Sequence, residues 1–221
     1  IAHGTGTLII EGIVFDGFSN AGQGGVIFSA DGFPGTLIVH DSIFENNSAE
    51  DGGAIWADGV SLTIENSTFR SNTASGGSND AGGAVNVNLN GDAFTLTITN
   101  SIFHGNISND AGGAVFTGLG TTATIDNTLF YENTAQTGIS GFYGAGILNQ
   151  GTLTVRNTTI VDNVAGGAGS GGGIDNASGT FTLQNMIVTN NTTNGAVDVD
   201  GTPSGSSANN LINVAVNFEN A

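Results

Sequence analysis

The chain has 221 residues, 38% of them hydrophobic, which is enough for one domain or one repeat array with a continuous core. Nineteen acidic residues stand against two arginines and no lysine, a net charge of −17, so almost nothing is present to neutralise phosphates, and binding to nucleic acid or anionic lipid is all but excluded. No cysteine is present to form disulfides or thiolate metal sites, and no apolar run is long enough for a membrane span.

Read in chain order, one pattern recurs seven times. "TLIIEGIVFDGF" begins at Thr7, "TLIVHDSIFENN" at Thr36, "SLTIENSTFRSN" at Ser61 and "TLTITNSIFHGN" at Thr95. "TATIDNTLFYEN" at Thr122, "TLTVRNTTIVDN" at Thr152 and "TFTLQNMIVTNN" at Thr180 complete the series. Successive starts lie 29, 25, 34, 27, 30 and 28 residues apart, a variation that suits coils whose corners tolerate insertions. Apolar residues alternate within each copy, the period of a strand. Leu8, Leu37, Leu62, Leu96, Ala123, Leu153 and Phe181 form one inward column, and Ile10 through Leu183 a second. Phe15, Phe44, Phe69, Phe103 and Phe130, then Ile160 and Val188, form a third. Coils stacked about 4.8 Å apart place like residues over like. The expected fold is all-β, a parallel β-solenoid of about 7–8 coils over residues 1–201, with 202–221 an irregular C-terminal coil or assembly strand.

Between copies lie "GGAI" at Gly52, "GGAV" at Gly82 and Gly112, "GAGI" at Gly144 and "GGGI" at Gly171. The glycines suit a tight corner with positive φ or a close approach to the coil above. The aliphatic residue that follows re-enters the core as Ile27, Ile55, Val85, Val115, Ile147, Ile174 and Val197. Two asparagine columns are expected, one through Asn66, Asn100, Asn127, Asn157 and Asn185, the other through Asn47, Asn72, Asn106, Asn133, Asn163 and Asn191. Both are read as inward ladders, so the glycosylation sequons at Asn66 and Asn106 are taken as accidents of composition.

The paired motifs, "GGAI" and "GGAV" with "FENN", "FRSN", "FHGN" and "FYEN", resemble the repeats of polymorphic outer-membrane-protein and autotransporter passengers. More broadly the chain is similar to secreted bacterial right-handed parallel β-helix proteins, and the tail "DVDGTPSGSSANNLINVA" resembles their common ending. The resemblance implies a right-handed parallel β-helix and an extracellular or cell-surface location. The chain begins at Ile1 and not Met, so removal of a signal peptide or of a longer precursor is expected.

Chemistry converges nowhere in the pattern. Arg70 and Arg156 lie three coils apart, and His3, His40 and His104 fall in different columns, so no catalytic site is expected. The alternative is a polysaccharide-active enzyme, since pectate lyases and polygalacturonases share this fold. Glu50, Asp80 and Asp110 precede the glycines on consecutive coils, with Asn79 and Asn109 beside them. Stacked carboxylates repel unless a cation intervenes, and Ca²⁺ is the candidate, against a plain solvated corner. No other cofactor is expected. A grid of Thr63, Thr95, Thr97, Thr122, Thr124, Thr152, Thr154, Thr180 and Thr182 faces outward and resembles the T-x-T face of ice-binding solenoids, a second alternative. The leading expectation is a secreted structural solenoid: a filament or stalk subunit, or an adhesin for surface glycans. Its partner would be a second copy joined end to end through Val214, Val216 and Phe218.

Overall fold

The computed structural model describes residues 1–3, 5–29, 35–76, 82–88, 94–136, 143–167, 171–194 and 197–213. Every strand pair in it is parallel and joins one coil to the next, which is the signature of a β-solenoid. Four walls run along the axis. The T-x-T strands, from Gly6–Glu11 to Thr180–Gln184, make a seven-stranded wall, so its first and last strands are separated by six full turns. The phenylalanine strands, Val14–Asp16 through Leu211–Ile212, and the GGA strands, Ala2–His3 through Val199–Asp200, make walls of eight. A short wall of five two-residue strands, Ser48–Ala49 through Val164–Ala165, closes the coil.

The columns explain why these residues choose this fold. Leu37, Leu62, Leu96, Ala123, Leu153 and Phe181 stand directly over one another and are buried. The rings of Phe15, Phe44, Phe69, Phe103 and Phe130 stack at centroid separations of 4.8–4.9 Å. That spacing is the coil repeat itself, so ring stacking and backbone pairing reinforce each other. Phe18 meets the first ring edge-on at 6.0 Å.

Each coil turns twice through the left-handed region between its strands. The first turn uses Asp41, Asn66, Asn100, Asn127, Asn157 and Asn185, and the second Asn46, Ser71, Gly105, Glu132, Asp162 and Asn190. Asparagine is the non-glycine residue that tolerates this conformation best, hence its abundance at the first turn. These first-turn side chains are exposed, so Asn66 points to solvent, and the expectation of an inward ladder at that column is corrected. Only the column from Asn47 to Asn191 is buried.

The glycine pairs have two separate causes. Gly52, Gly82 and Gly112 hold φ between 59° and 73°, and a Cβ on any of them would press on the backbone of the aliphatic residue three positions on. A Cβ on Gly83 would instead collide with the carbonyl oxygen of Gly113 in the next coil, and with the backbone of Ile107. Gly83→Ala therefore has no flexible side chain to displace. It is expected to cost at least about 1–3 kcal/mol of overpacking strain, read as a lowered melting temperature.

The GGA column departs from expectation at its last coil. Ile174 is paired with Val199, two residues beyond the expected Val197. The shift brings Asp198 to the end of the buried asparagine ladder, where its Oδ1 accepts from both nitrogens of Asn191 at 2.8 Å. Residues 204–213 then continue the coil. Ala208 N donates to Leu183 O, Leu211 N to Met186 O and Asn213 N to Val188 O. Val214, Val216 and Phe218 lie outside the described residues.

Candidate functional site

Among the described residues the inner faces of the walls are filled by the core, so accessible side chains lie on the outer faces and corners. On the T-x-T wall the threonine grid is in register: Thr95, Thr122, Thr152 and Thr180 form one column, and Thr63, Thr97, Thr124, Thr154 and Thr182 the next. The first column is exposed and the second half-buried. Ile9 and Ile38 continue the second column at the first two coils, and Ser204 Oγ lies 2.6 Å from Thr182 Oγ1 at the last. The grid is thus bounded at both ends.

Of the proposed cation ligands, Asp80 and Asn79 lie outside the described residues. Glu50 is exposed, whereas Asp110 is 4% exposed. The two do not hold equivalent positions. Ala49, Ala74 and Ser108 are in register, so the residue level with Glu50 is Asn109, whose Nδ2 donates to Ser75 O at 3.1 Å. A different cluster forms where the residue pattern showed none. Glu11 and His40 are stacked partners, Asp41 follows at the turn, and one donor atom from each falls within 4.8 Å of the others. His40 Nδ1 lies 3.2 Å from Asp41 Oδ2 and Nε2 3.7 Å from Glu11 Oε2. Adjacent coils hide such a set from a linear reading, because its members are 29 and 30 residues apart.

On the phenylalanine wall one outward column reads Asp16, Glu45, Arg70, His104, Tyr131, Val161, Thr189. Arg70 pairs with Glu45. His104 stacks on Tyr131 with ring centroids 4.0 Å apart and reaches Glu132 at 3.0 Å. Arg156 stands between Asp126 and Gln184 on the neighbouring wall. The GGA wall differs, for its outward residues Trp56, Asn86, Phe116, Leu148 and Asp175 are all less than one-tenth exposed. Tyr143 N donates to Asp175 Oδ2 at 2.9 Å, so part of that face is closed by the chain itself.

Beside this geometry the comparisons with known proteins are informative. Residues 41–58 match the Chlamydia polymorphic membrane protein (Chlamydia_PMP) repeat. The stretch runs from the left-handed turn at Asp41 through Phe44, a second such turn at Asn46, Asn47 and the Gly52–Gly53 pair to the end of a GGA strand, so it holds every structural device of the coil except the T-x-T strand. The chain is a parallel β-helix with one stretch similar to that repeat. This β-helix is also 31% identical over 140 residues to the probable autotransporter YfaL of Escherichia coli K12, covering 58% of the chain and 11% of that protein. It is 33% identical over 98 residues to the metabotropic glutamate receptor-like protein R of Dictyostelium discoideum, covering 44% of the chain and 6% of that protein. The chain therefore spans only a small part of the length of either relative. No solved structure matches it.

Proposed function

We propose that this β-helix is a non-catalytic segment of a surface protein, a stalk or adhesive rod that displays its outer faces to the surroundings. One observation carries the reading. The residues that build the coil repeat, and on the phenylalanine and GGA walls the residues that face outward change from coil to coil. Phe44, Asn47 and Gly53 recur as Phe69, Asn72 and Gly83, while the outward column passes from carboxylate to guanidinium to imidazole to phenol within five coils. A scaffold with variable faces is what display requires, whereas catalysis needs a few groups gathered at one point. The printed names of the relatives, a polymorphic membrane protein repeat and an autotransporter, support an outer-membrane or cell-surface setting.

Protease shaving of intact cells that produce the protein tests the location. Peptides of this chain are expected in the supernatant before any cytoplasmic marker appears, and protection until lysis would overturn the surface reading. Incubation with polygalacturonate is expected to release neither reducing ends nor unsaturated products. Release of either would overturn the non-catalytic part.

A further inference from the structure

We propose that the open groove beside the outer asparagine row binds a neutral, linear β-1,4-linked glycan laid along the solenoid axis. The proposal rests on the surface reading above and gives it a ligand.

The groove, of about 380 Å³, follows the corner between the T-x-T and phenylalanine walls across three coils. One side is the left-handed turn column of Asn100, Asn127 and Asn157, at φ 48–50°. The other side is the outward column of Ile102, Leu129 and Thr159, in register with one another. Ile102 is 39% exposed, well beyond what a side chain packed in a core shows. The floor offers little, because Ser101 Oγ donates to Thr99 O and Thr128 Oγ1 to Asp126 O. The asparagines offer more. Asn127 Nδ2 donates to Asn100 Oδ1 at 2.7 Å and Asn157 Nδ2 to Asp126 Oδ1 at 2.8 Å. An amide has two N–H donors and two acceptor lone pairs, so each keeps capacity for a ligand.

An amide row facing a row of two aliphatic side chains and a threonine fits a pyranose, which carries hydroxyls on its rim and C–H groups on its faces. The period fits as well. Coils repeat about every 4.8 Å, and a β-1,4-linked chain advances by a similar step per sugar with alternate sugars turned over, so sugars in the same orientation recur about every two coils. An extended peptide fits worse. Its alternate side chains recur at about 6.7 Å, and it needs a free sheet edge, whereas the strands on both sides of the groove are already paired above and below. With a net charge of −17 and two arginines in the whole chain, a polyanion is disfavoured.

Calorimetric titration of the purified chain with chitohexaose, cellohexaose and polygalacturonate tests the proposal. Binding of at least one neutral hexasaccharide is expected, stronger than that of its disaccharide. Asn127→Gly combined with Asn157→Gly removes two amides but keeps the turn, since glycine adopts positive φ freely. The pair is expected to weaken binding by about tenfold or more, the effect of two lost hydrogen bonds, with little change in the melting temperature. Leu129→Asp is expected to weaken it too, and Thr95→Lys on the neighbouring wall to leave it unchanged. Absence of neutral-sugar binding at millimolar concentration, preference for polygalacturonate, or full affinity in the double glycine variant would each overturn it. A chain that is shaved from intact cells yet binds none of these sugars loses the groove proposal and keeps the surface reading.

Discussion

Phe103→Ala is expected to destabilise the protein by about 3–5 kcal/mol, measured by chemical denaturation. Phe103 has no exposed surface, and its ring lies between Phe69 and Phe130 at 4.9 and 4.8 Å. Truncation opens a cavity inside the stack that the neighbouring coils cannot fill, because their rings are tied to the backbone repeat. The loss then includes the transfer of the ring and the cavity it leaves. Phe103→Leu, which refills much of the volume, is expected to recover more than half of it. A loss below about 1 kcal/mol for Phe103→Ala would mean that the stack contributes little to the core.

Asn133→Ala is the second large effect, with a different origin. Asn133 Oδ1 accepts from Asn106 N and Asn106 Nδ2 at 3.0 and 2.9 Å. Its own Nδ2 donates to Phe103 O and to Asn163 Oδ1 at 3.0 and 2.9 Å. All of these groups are buried, so the alanine variant strands the Asn106 donors and Phe103 O in the coil below at about 1–3 kcal/mol apiece, while Asn163 Oδ1 above keeps its bond from Asn133 N. Backbone adjustment relieves part of this, and a total of about 3–5 kcal/mol is expected. Asn133→Asp is expected to fail as a rescue, since its second carboxylate oxygen would face Phe103 O and Asn163 Oδ1, both acceptors, in a buried position. Hydrogen exchange should show the loss centred on the coils of Asn106 and Asn163. Uniform protection loss along the whole rod would contradict a local origin.

Much of the fold was legible because a solenoid writes its contacts into a linear period. Leu96 lies over Leu62 in the molecule for the same reason that it aligns with Leu62 in the sequence. Legibility failed where that period carries no information. The outward residues Trp56, Asn86, Phe116, Leu148 and Asp175 share no chemical type, so nothing in their pattern revealed that they are buried. The turn asparagines and the ladder asparagines are the same residue six positions apart, as Asn66 and Asn72 are. Only φ and exposure separate the solvent-facing set from the buried one. At the last coil a match to "GGA" favoured Val197, but closing the ladder with Asp198 sets the register instead. The candidate groove was invisible for another reason. It joins a turn residue to a strand residue two positions on, and only the stacking of coils turns that pair into two parallel rows.

The buried ladder has a direction. From Asn47 to Asn191 each Nδ2 donates toward the following coil and each Oδ1 faces the preceding one, so six amide dipoles point the same way. Aligned dipoles polarise one another, and their positive end emerges at the final coil. Asp198 stands there, an acceptor that satisfies the last donors and places negative charge against that end, as an acidic residue does at the start of a helix. Whole coils can be inserted or deleted between Asn47 and Asn191 without disturbing this row, since each one accepts from below and donates above. A coil stacked in the opposite sense would set oxygen against oxygen on one side and hydrogen against hydrogen on the other. The rod is therefore a polar object whose two ends are electrically distinct.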